Sequence, residues 1–331
     1  MSPNVDAPLW GPGSVHAGRG PAPRVLTPGA AVELLGVSRW YGNVVAVNDI
    51  SFVLGSGVTG LLGPNGAGKS TILHMIAGLL RPSDGVVAIR GGSSWRNPAI
   101  YRDLGLVPER ESVHSFLTGF QFAQLNARLQ RLPDPDAAAR RAIATVGLTD
   151  AADRAVGTYS KGMRQRVKIA GALVHDPSIL LLDEPFNGMD PRQRLQMMEL
   201  LGRMADEGRV ILFSSHILEE VERLAQNVLV IVSGRLAASG DFREIRRLMT
   251  DRPHTFTMRS SDDRRLAAAL VGHPSVFGVQ LDQGRLSVRT SDYAGFARAL
   301  PGLARAGGVS ILELRPTDED LESVFGYLVQ R

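Results

Sequence analysis

Residues 58–71 read Val-Thr-Gly-Leu-Leu-Gly-Pro-Asn-Gly-Ala-Gly-Lys-Ser-Thr, an apolar strand that runs straight into a glycine-rich loop. The part from Gly63 to Ser70 fits the pattern G-x-x-x-x-G-K-[ST]. Apolar residues then recur at helical spacing as far as Leu80, and the turn at residues 82–85 is expected to end that helix. The stretch therefore predicts a strand, a phosphate-binding loop and a helix in direct succession.

The loop has the composition that phosphate groups need. Its glycines allow backbone N–H groups to curl around phosphate oxygens, and the start of a helix adds positive potential. Lys69 is expected to neutralise the β- and γ-phosphates of a nucleotide, and Ser70 to offer an oxygen to Mg²⁺. The residues expected to bind the nucleotide here are Gly63, Pro64, Asn65, Gly66, Ala67, Gly68, Lys69, Ser70 and Thr71.

Lysine is rare in this chain, which argues against a lysine in a glycine-rich turn by chance. Of the 37 Lys and Arg residues, only Lys69, Lys161 and Lys168 are lysines. Two of these three lie in the motifs described here.

Two carboxylates, Asp183 and Glu184, follow a short apolar run at residues 179–182 that predicts a strand. The end of a strand is where an α/β sheet presents groups to a ligand. Asp183 is expected to hold Mg²⁺, directly or through water, and Glu184 to orient or deprotonate the water that attacks the terminal phosphate. An acidic pair at a strand end is common by itself, so this interpretation depends on the phosphate loop upstream.

Between these motifs, residues 159–166 read Tyr-Ser-Lys-Gly-Met-Arg-Gln-Arg. The segment resembles the signature sequence of the ATP-binding-cassette (ABC) family, LSGGQ in its commonest form, with Lys and Met in place of the usual Gly and Gln. It follows a loop and opens a helix, so the resemblance implies that Ser160, Lys161, Gly162 and Met163 contact the γ-phosphate of a nucleotide on a second copy. A serine N-cap on a basic helix is the alternative.

Other elements of the family follow in order. Tyr41 looks like the aromatic residue that stacks on adenine, with Trp40 as the next candidate and core packing as the alternative for either ring. The segment Asn-Gly-Met-Asp that ends at Asp190 resembles the D-loop, which touches the opposite subunit. His216 resembles the switch histidine that contacts the γ-phosphate, although a lone histidine is more often structural.

A further site residue departs from the family pattern, in addition to Lys161 and Met163 of the signature segment. Glu109 stands where the family usually has a glutamine. Its carboxylate can still ligate Mg²⁺, but it adds negative charge beside Asp183 and Glu184. The Pro-Glu-Arg sequence at residues 108–110, the signature segment and the C-terminal ending all look like the ATPases of ABC-2-type exporters, which move drugs, ions, lipids or glycans.

The pattern along the chain predicts an α/β fold with a second, smaller unit. Residues 1–31 read as a flexible Pro/Gly-rich tail, and residues 32–245 as an ABC nucleotide-binding domain with a mainly parallel sheet and antiparallel edge strands. A helical subdomain is expected at about residues 112–174, its first stretch running from Phe116 to Leu129. Strands and helices alternating as βα imply a sheet covered on both faces.

A different rhythm begins at about residue 251. The order βαββαβ predicts a small α+β, ferredoxin-like accessory domain over residues 251–331, with a hairpin turn at Gln283-Gly284. A final helix is expected to begin after Thr317 and to present an apolar face that includes Phe325. These residues contain no catalytic cluster.

Composition narrows the class of protein. Hydrophobic residues make up 44% and charged residues 21%, as in folded globular proteins, and cysteine is absent, which removes disulfides and thiol chemistry. The longest apolar runs, such as residues 228–232, are far shorter than the roughly 20 residues of a membrane helix. The net charge of +4 comes from basic residues spread along the chain, so no specific nucleic-acid partner is expected.

The resemblance implies an ATP- and Mg²⁺-dependent ATPase that energises a separately encoded membrane-spanning permease from the cytoplasmic face of the membrane. It also implies a second copy, or a paralogue, as a head-to-tail partner with ATP between the two. One alternative is a soluble ABC ATPase that acts on ribosomes, nucleic acid or cofactor assembly. Another is a regulatory subunit that senses nucleotide without hydrolysis, against which Lys69, Asp183, Glu184 and His216 all argue.

Overall fold

The structure, a computed structural model, describes residue 27 and residues 30–110, 113–241, 244–245, 254–282, 285–317 and 325. Its strands are β1 (Val32–Tyr41), β2 (Val44–Leu54), β3 (Gly57–Leu62), β4 (Asp84–Ile89), β5 (Gly92–Ser93), β6 (Leu104–Val107), β7 (Ile179–Asp183), β8 (Val210–Ser215), β9 (Asn227–Val232), β10 (Arg235–Gly240), β11 (His254–Ser260), β12 (Val276–Asp282), β13 (Arg285–Thr290) and β14 (Ile311–Pro316). Its helices are α1 (Lys69–Ile76), α2 (Gly119–Leu129), α3 (Pro135–Thr145), α4 (Lys161–Leu173), α5 (Pro191–Asp206), α6 (Leu218–Leu224), α7 (Asp263–Val271) and α8 (Tyr293–Ala306). Among these helices, none combines the length and apolar character that crossing a membrane requires.

A six-stranded sheet with the order β10-β9-β3-β8-β7-β6 lies at the centre. Strands β6, β7, β8, β3 and β9 pair in parallel, and β10 is an antiparallel edge strand. The predicted mainly parallel sheet is therefore confirmed. The phosphate loop and the acidic pair leave this sheet at the carboxyl ends of β3 and β7, with only β8 between those two strands.

Successive side chains of the central strands enter two different hydrophobic cores. In β7, Leu180 and Leu182 belong to a core shared with helices α2 to α6. Ile179 and Leu181 belong to a second core, shared with α1 and a four-stranded antiparallel sheet of order β2-β1-β4-β5. Because strand side chains alternate, a strand buried on both faces is largely apolar along its length, which is why residues 179–182 of β7 form a continuous apolar run.

Helix α1 is shorter than its sequence pattern predicts. It ends at Ile76, not near Leu80. Gly78 adopts a left-handed φ of 68°, and a Cβ there would lie 2.3 Å from the carbonyl oxygen of Ser94. A glycine in that conformation is a common helix terminator, and it leaves Leu79 mostly exposed. The expectation that the turn at residues 82–85 ends the helix is wrong for this reason.

The helical segment also begins later than predicted. Thr118 and Gln121 form a capping box, so α2 starts at Gly119 and Phe116 lies before it, 76% exposed. The buried face of α2 consists of small residues, among them Ala123 and Ala127, whereas Leu125 and Leu129 point outward. Phe120 and Phe122 are partly buried against the same core, so only some of the large apolar residues in this stretch face the protein interior.

The C-terminal residues form a four-stranded antiparallel sheet of order β12-β13-β11-β14, with α7 and α8 packed on its core. This is the split βαβ, ferredoxin-like arrangement that the βαββαβ order predicts. The predicted hairpin turn at Gln283-Gly284 and the final helix lie outside the described residues, except for Phe325. The side chain of Phe325 is partly buried against the core shared with α2 to α6. The predicted tail at residues 1–31 also lies almost wholly outside them, and the domain bounds remain a prediction.

Replacing Leu181 by alanine tests the two-sided burial of β7. Leu181 is fully buried, so Leu181→Ala should lower the free energy of unfolding by about 2–5 kcal/mol through lost burial and a residual cavity. Leu129 is 74% exposed, and Leu129→Ala should change it by no more than about 0.5 kcal/mol. Urea unfolding followed by circular dichroism measures both, and equal effects would contradict this assignment of the core.

Candidate nucleotide-binding site

A pocket of about 340 Å³ opens at the carboxyl ends of β3, β6 and β7. Residues of the phosphate loop and three acidic residues line it. The lining residues are Ala46, Asn65, Gly66, Ala67, Gly68, Lys69, Ser70, Thr71, Glu109, Asp183 and Glu184. The structure thus brings together most of the loop residues and all three acidic residues that the sequence singles out, at the strand ends where α/β sheets bind ligands.

Lys69 supplies the positive charge of this pocket. Its Nζ donates hydrogen bonds to the carbonyl oxygens of Gly63 (2.7 Å) and Pro64 (3.3 Å), and lies 3.9 Å from Oε1 of Glu184. Gly63 and Pro64 do not line the pocket, but their carbonyl oxygens hold the Lys69 ammonium group in place. Burial lowers the pKa of Lys69, and the nearby charges of Glu184, Asp183 and Glu109 act in the opposite direction.

The start of α1 offers unpaired backbone donors to an anion. Its N-cap, Gly68, has a left-handed φ of 103°, no side chain caps the helix, and no acidic residue lies in its first turn. A Cβ at Gly68 would stand 2.5 Å from the carbonyl oxygen of Ala46, so only glycine fits here. The free N–H groups and the helix dipole make this end a site for phosphate.

Asp183 and Glu184 are fixed by one hydroxyl group on the neighbouring strand. Ser214 Oγ donates to Oδ1 of Asp183 (2.6 Å) and accepts from the backbone N–H of Glu184 (2.9 Å). Glu184 has a left-handed φ of 49°, which costs roughly 1–3 kcal/mol in a non-glycine residue and persists only where the surroundings impose it. The strand therefore turns sharply here, and both carboxylates reach the pocket.

His216 contacts Glu184 directly. Its Nδ1 lies 3.0 Å from each carboxylate oxygen of Glu184, so an N–H at Nδ1 donates to that carboxylate. His216 does not line the pocket itself, but its ring holds a residue that does. Behind it, the buried carboxylate of Glu220 accepts from Ser215 Oγ (2.7 Å) and pairs with Arg194 (3.3 Å). Burial raises the pKa of Glu220, and Ser215 and Arg194 oppose that shift.

The oxygen atoms of the pocket suit a metal ion that is bound together with phosphate. Ser70 offers a hydroxyl, and Glu109 and Asp183 offer carboxylates. Among the described residues, no group of three or more His, Asp or Glu side chains forms a metal cage by itself. Mg²⁺ commonly binds through one or two protein oxygens, substrate phosphates and water, so this donor set fits it.

Comparison with known proteins agrees with this geometry. The family model described as ABC transporter matches residues 47–187. The daunorubicin/doxorubicin resistance ATP-binding protein DrrA of Streptomyces peucetius is 35% identical over 291 residues, 84% of this chain and 86% of the relative. The chain belongs to the ABC transporter family. It is therefore an ATP-binding subunit and an ATPase.

Two further matches extend over different shares of the chain. The bacitracin transport ATP-binding protein BcrA of Enterococcus faecalis is 31% identical over 304 residues, 90% of this chain and 96% of the relative. A solved structure of an ATP-binding subunit of an ABC transporter is 30% identical, with a TM-score of 0.60, and covers 66% of this chain and 92% of its own. The predicted membership of the ABC family and the predicted cassette fold are confirmed.

The ABC signature segment lies apart from the pocket of its own chain. Ser160 caps α4 by accepting from the N–H of Met163 (3.2 Å), as the alternative interpretation of this residue also predicts. The stem of Lys161 lies over Gly188 of the D-loop, since a Cβ at Gly188 would meet its Cδ at 2.4 Å. Asp190 caps α5 by accepting from the N–H of Gln193 (2.8 Å), and a Cβ at Gly162 would meet Oε1 of Gln193 at 2.3 Å. Signature and D-loop are thus packed together.

The two candidate adenine-stacking rings lie at the tip of the β1–β2 hairpin. Tyr41 and Trp40 are 47% and 46% exposed, so neither is a core residue. Tyr41 pairs with Val44, two residues before Ala46 of the pocket wall. The guanidinium carbon of Arg39 lies 4.6 Å from the centroid of the Tyr41 ring, a cation–π contact that supports the ring from one side. A stacking role for Tyr41 remains a prediction.

Sequence reasoning missed the residues that hold the site from behind. Ser214 stands next to the predicted switch histidine segment, and its position at the end of an apolar strand was the available signal. Ala46, Gln165 and Lys168 carry no such signal, because their roles arise from contacts between distant parts of the chain.

Substitution of Gly68 tests the phosphate loop. Gly68→Ala should weaken ATP binding at least about tenfold, because the added Cβ is 2.5 Å from a carbonyl oxygen and the backbone φ is 103°. Isothermal titration with ATP measures this effect. Gly202 on α5 has no atom within 4 Å of an added Cβ, so Gly202→Ala is the matched control and should bind ATP like the wild type. Equal affinities for all three proteins would contradict the loop geometry.

Proposed function

We propose that this ABC ATPase is the motor subunit of an exporter, in which two copies enclose ATP and drive a separate membrane-spanning protein. One observation carries the two-copy arrangement. Of the described residues, those lining the pocket come from β2, the phosphate loop and the start of α1, the segment after β6 and the end of β7, while the signature segment at residues 160–163 is absent from it. A second copy placed head to tail would bring its own signature segment to that open side, where the N-terminus of α4 can face a γ-phosphate.

Each residue of the pocket has a distinct part in the proposed reaction. Lys69 binds the β- and γ-phosphates, and Ser70 and Asp183, with Glu109, hold Mg²⁺. When bound, Mg²⁺ neutralises charge on the phosphates. Glu184 orients a water molecule and accepts its proton as the water oxygen attacks the γ-phosphorus and the bond to the β-phosphate oxygen breaks, which yields ADP and phosphate.

His216 keeps the general base in position. Its ring is within 3.0 Å of both carboxylate oxygens of Glu184, which limits how that carboxylate can turn. Ser214 holds the backbone of the same residue at 2.9 Å. The carboxylate is therefore preorganised before the attack, which is the main means by which a protein accelerates phosphoryl transfer.

The assignment of Glu184 is tested by its amide. Glu184→Gln keeps the size of the side chain but removes the base, so it should bind ATP with wild-type affinity while its turnover falls by about 10²-fold or more. Phosphate release and ATP titration measure the two quantities. Glu222 is exposed on α6, and Glu222→Gln is the matched control that should leave both unchanged. Wild-type turnover in Glu184→Gln would show that another group is the base.

The direction of transport and the partner are inferred from the relatives. Those named for drug resistance, bacitracin transport and Nod factor export are ATP-binding proteins of transport systems. Exposed Phe116 lies between β6 of the central sheet and helix α2, and we infer that it faces the permease. The chain would then act at the cytoplasmic face of the membrane.

Co-purification separates this proposal from a soluble ABC ATPase. The full chain, tagged in its native cells, should bring down a protein with several membrane spans from gently solubilised membranes, as identified by mass spectrometry. Recovery of ribosomal or nucleic-acid-bound proteins from the soluble fraction, with no membrane protein, would overturn the exporter part and leave the ATPase chemistry intact.

A further inference from the structure

The third lysine of the chain is buried beside the pocket, in a part of α4 that none of the ATP-binding motifs uses. Lys168 is 4% exposed. A buried ammonium is unfavourable unless hydrogen bonds replace its lost water, so such a residue is retained where its contacts matter. Nearly all other basic residues of the chain are arginines. The presence of lysine here indicates that the site needs the compact ammonium group of lysine and not the planar guanidinium group of arginine.

Lys168 contacts the backbone of one pocket carboxylate. Its Nζ donates to the carbonyl oxygen of Glu109 at 3.2 Å. Glu109 follows β6, which ends at Val107, and lines the same pocket as the phosphate loop. The ammonium therefore fixes the segment that brings the Glu109 carboxylate to the pocket.

A second hydrogen bond of Lys168 links it, through Gln165, to Glu184. Nζ of Lys168 also donates to Oε1 of Gln165, one turn earlier on α4, at 3.0 Å. Because that oxygen accepts from the lysine, the amide group of Gln165 is turned so that Nε2 donates to the carbonyl oxygen of Glu184 at 3.4 Å. Gln165 is itself 7% exposed, so these bonds are shielded from water.

The Glu184 peptide needs such support. Its φ of 49° is a strained conformation, which neighbouring groups must impose. Ser214 Oγ binds its N–H group, and Gln165 and the N–H of Asn187 bind its carbonyl oxygen, the latter at 3.3 Å. Without the hydrogen bond from Gln165, the carbonyl group of Glu184 would lose one of the two donors that orient it.

We propose that Lys168 is a positioning residue for ATP hydrolysis, which holds Glu109 through its backbone and Glu184 through Gln165, so that one ammonium sets the placement of two pocket carboxylates. The inference rests on the proposed ATPase chemistry of the pocket. Lys168 lies on the helix that begins with the signature segment, seven residues after Lys161. A shift of α4 when its first turn meets a nucleotide of a second copy is thereby passed to both carboxylates.

The test replaces Lys168 by methionine in the full-length chain. Lys168→Met should lower kcat for ATP about tenfold or more, because a displaced carboxylate of the catalytic site costs that much. The Mg²⁺ concentration for half-maximal activity should rise several-fold, because Glu109 is no longer held. Affinity for ATP in the absence of Mg²⁺ should stay as in the wild type, since the phosphate loop is untouched. A purely structural role for Lys168 would not move the Mg²⁺ dependence.

Two further variants complete the design. Arg203 is exposed in the last turn of α5, and Arg203→Met should leave turnover, Mg²⁺ dependence and melting temperature unchanged. Gln165→Glu keeps an acceptor for Lys168 but loses the donor to Glu184. It should therefore lower kcat while the Mg²⁺ dependence remains that of the wild type. This variant carries the test alone if Lys168→Met does not fold.

The outcomes separate the inference from the proposed function. If the wild type is active and Lys168→Met has the same kcat and Mg²⁺ dependence as the wild type, the inference alone is overturned. The inference alone is also overturned if Gln165→Glu loses kcat and its Mg²⁺ dependence changes by an equal factor. A wild-type chain that binds ATP and does not hydrolyse it overturns the proposed function, and the inference with it. A lower kcat in both variants, with a changed Mg²⁺ dependence in Lys168→Met only, supports both the inference and the proposed function.

Discussion

Burial of the central sheet on both faces is the constraint on which the rest of the structure depends. Side chains of β3, β7, β8 and β9 alternate between two apolar cores, and no charged side chain lies between the ends of these strands. Polar chemistry is therefore confined to the points where the strands end. Because parallel strands end at one edge of the sheet, the phosphate loop after β3 and the carboxylates at the end of β7 lie close together there.

Meeting at an edge does not by itself give a working geometry, and a small set of buried polar groups supplies it. Ser214 joins Asp183 to the backbone of Glu184, and His216 limits the rotation of the Glu184 carboxylate. Lys168 and Gln165 reach the same residue from α4. Most of these contacts are made to Glu184, whose backbone has a strained φ. They suit a site where a carboxylate must be positioned before the substrate binds.

Local patterns sufficed where local physics decides the outcome. The glycine-rich loop, the acidic strand end and the βαββαβ order each depend on residues close together in sequence, and these were predicted. The end of α1 was not, because it depends on the approach of Ser94 to Gly78 from elsewhere in the chain. The stretch from Phe116 to Leu129 did not reveal which face of α2 is buried, because close helix packing selects the small residues Ala123 and Ala127. Lys168 and Gln165 were invisible for the same reason, since their partners are distant in sequence.

The position of Phe325 changes how the C-terminal sheet should be regarded. Its side chain lies against the core that α2 to α6 share, after the chain has completed the strands of the small sheet. Ile245, which precedes the small sheet in sequence, packs against the same core, so the chain contacts the larger core both before and after the small sheet. Ending the chain after Thr317 would therefore remove an aromatic contact of the larger core together with the residues that follow the small sheet.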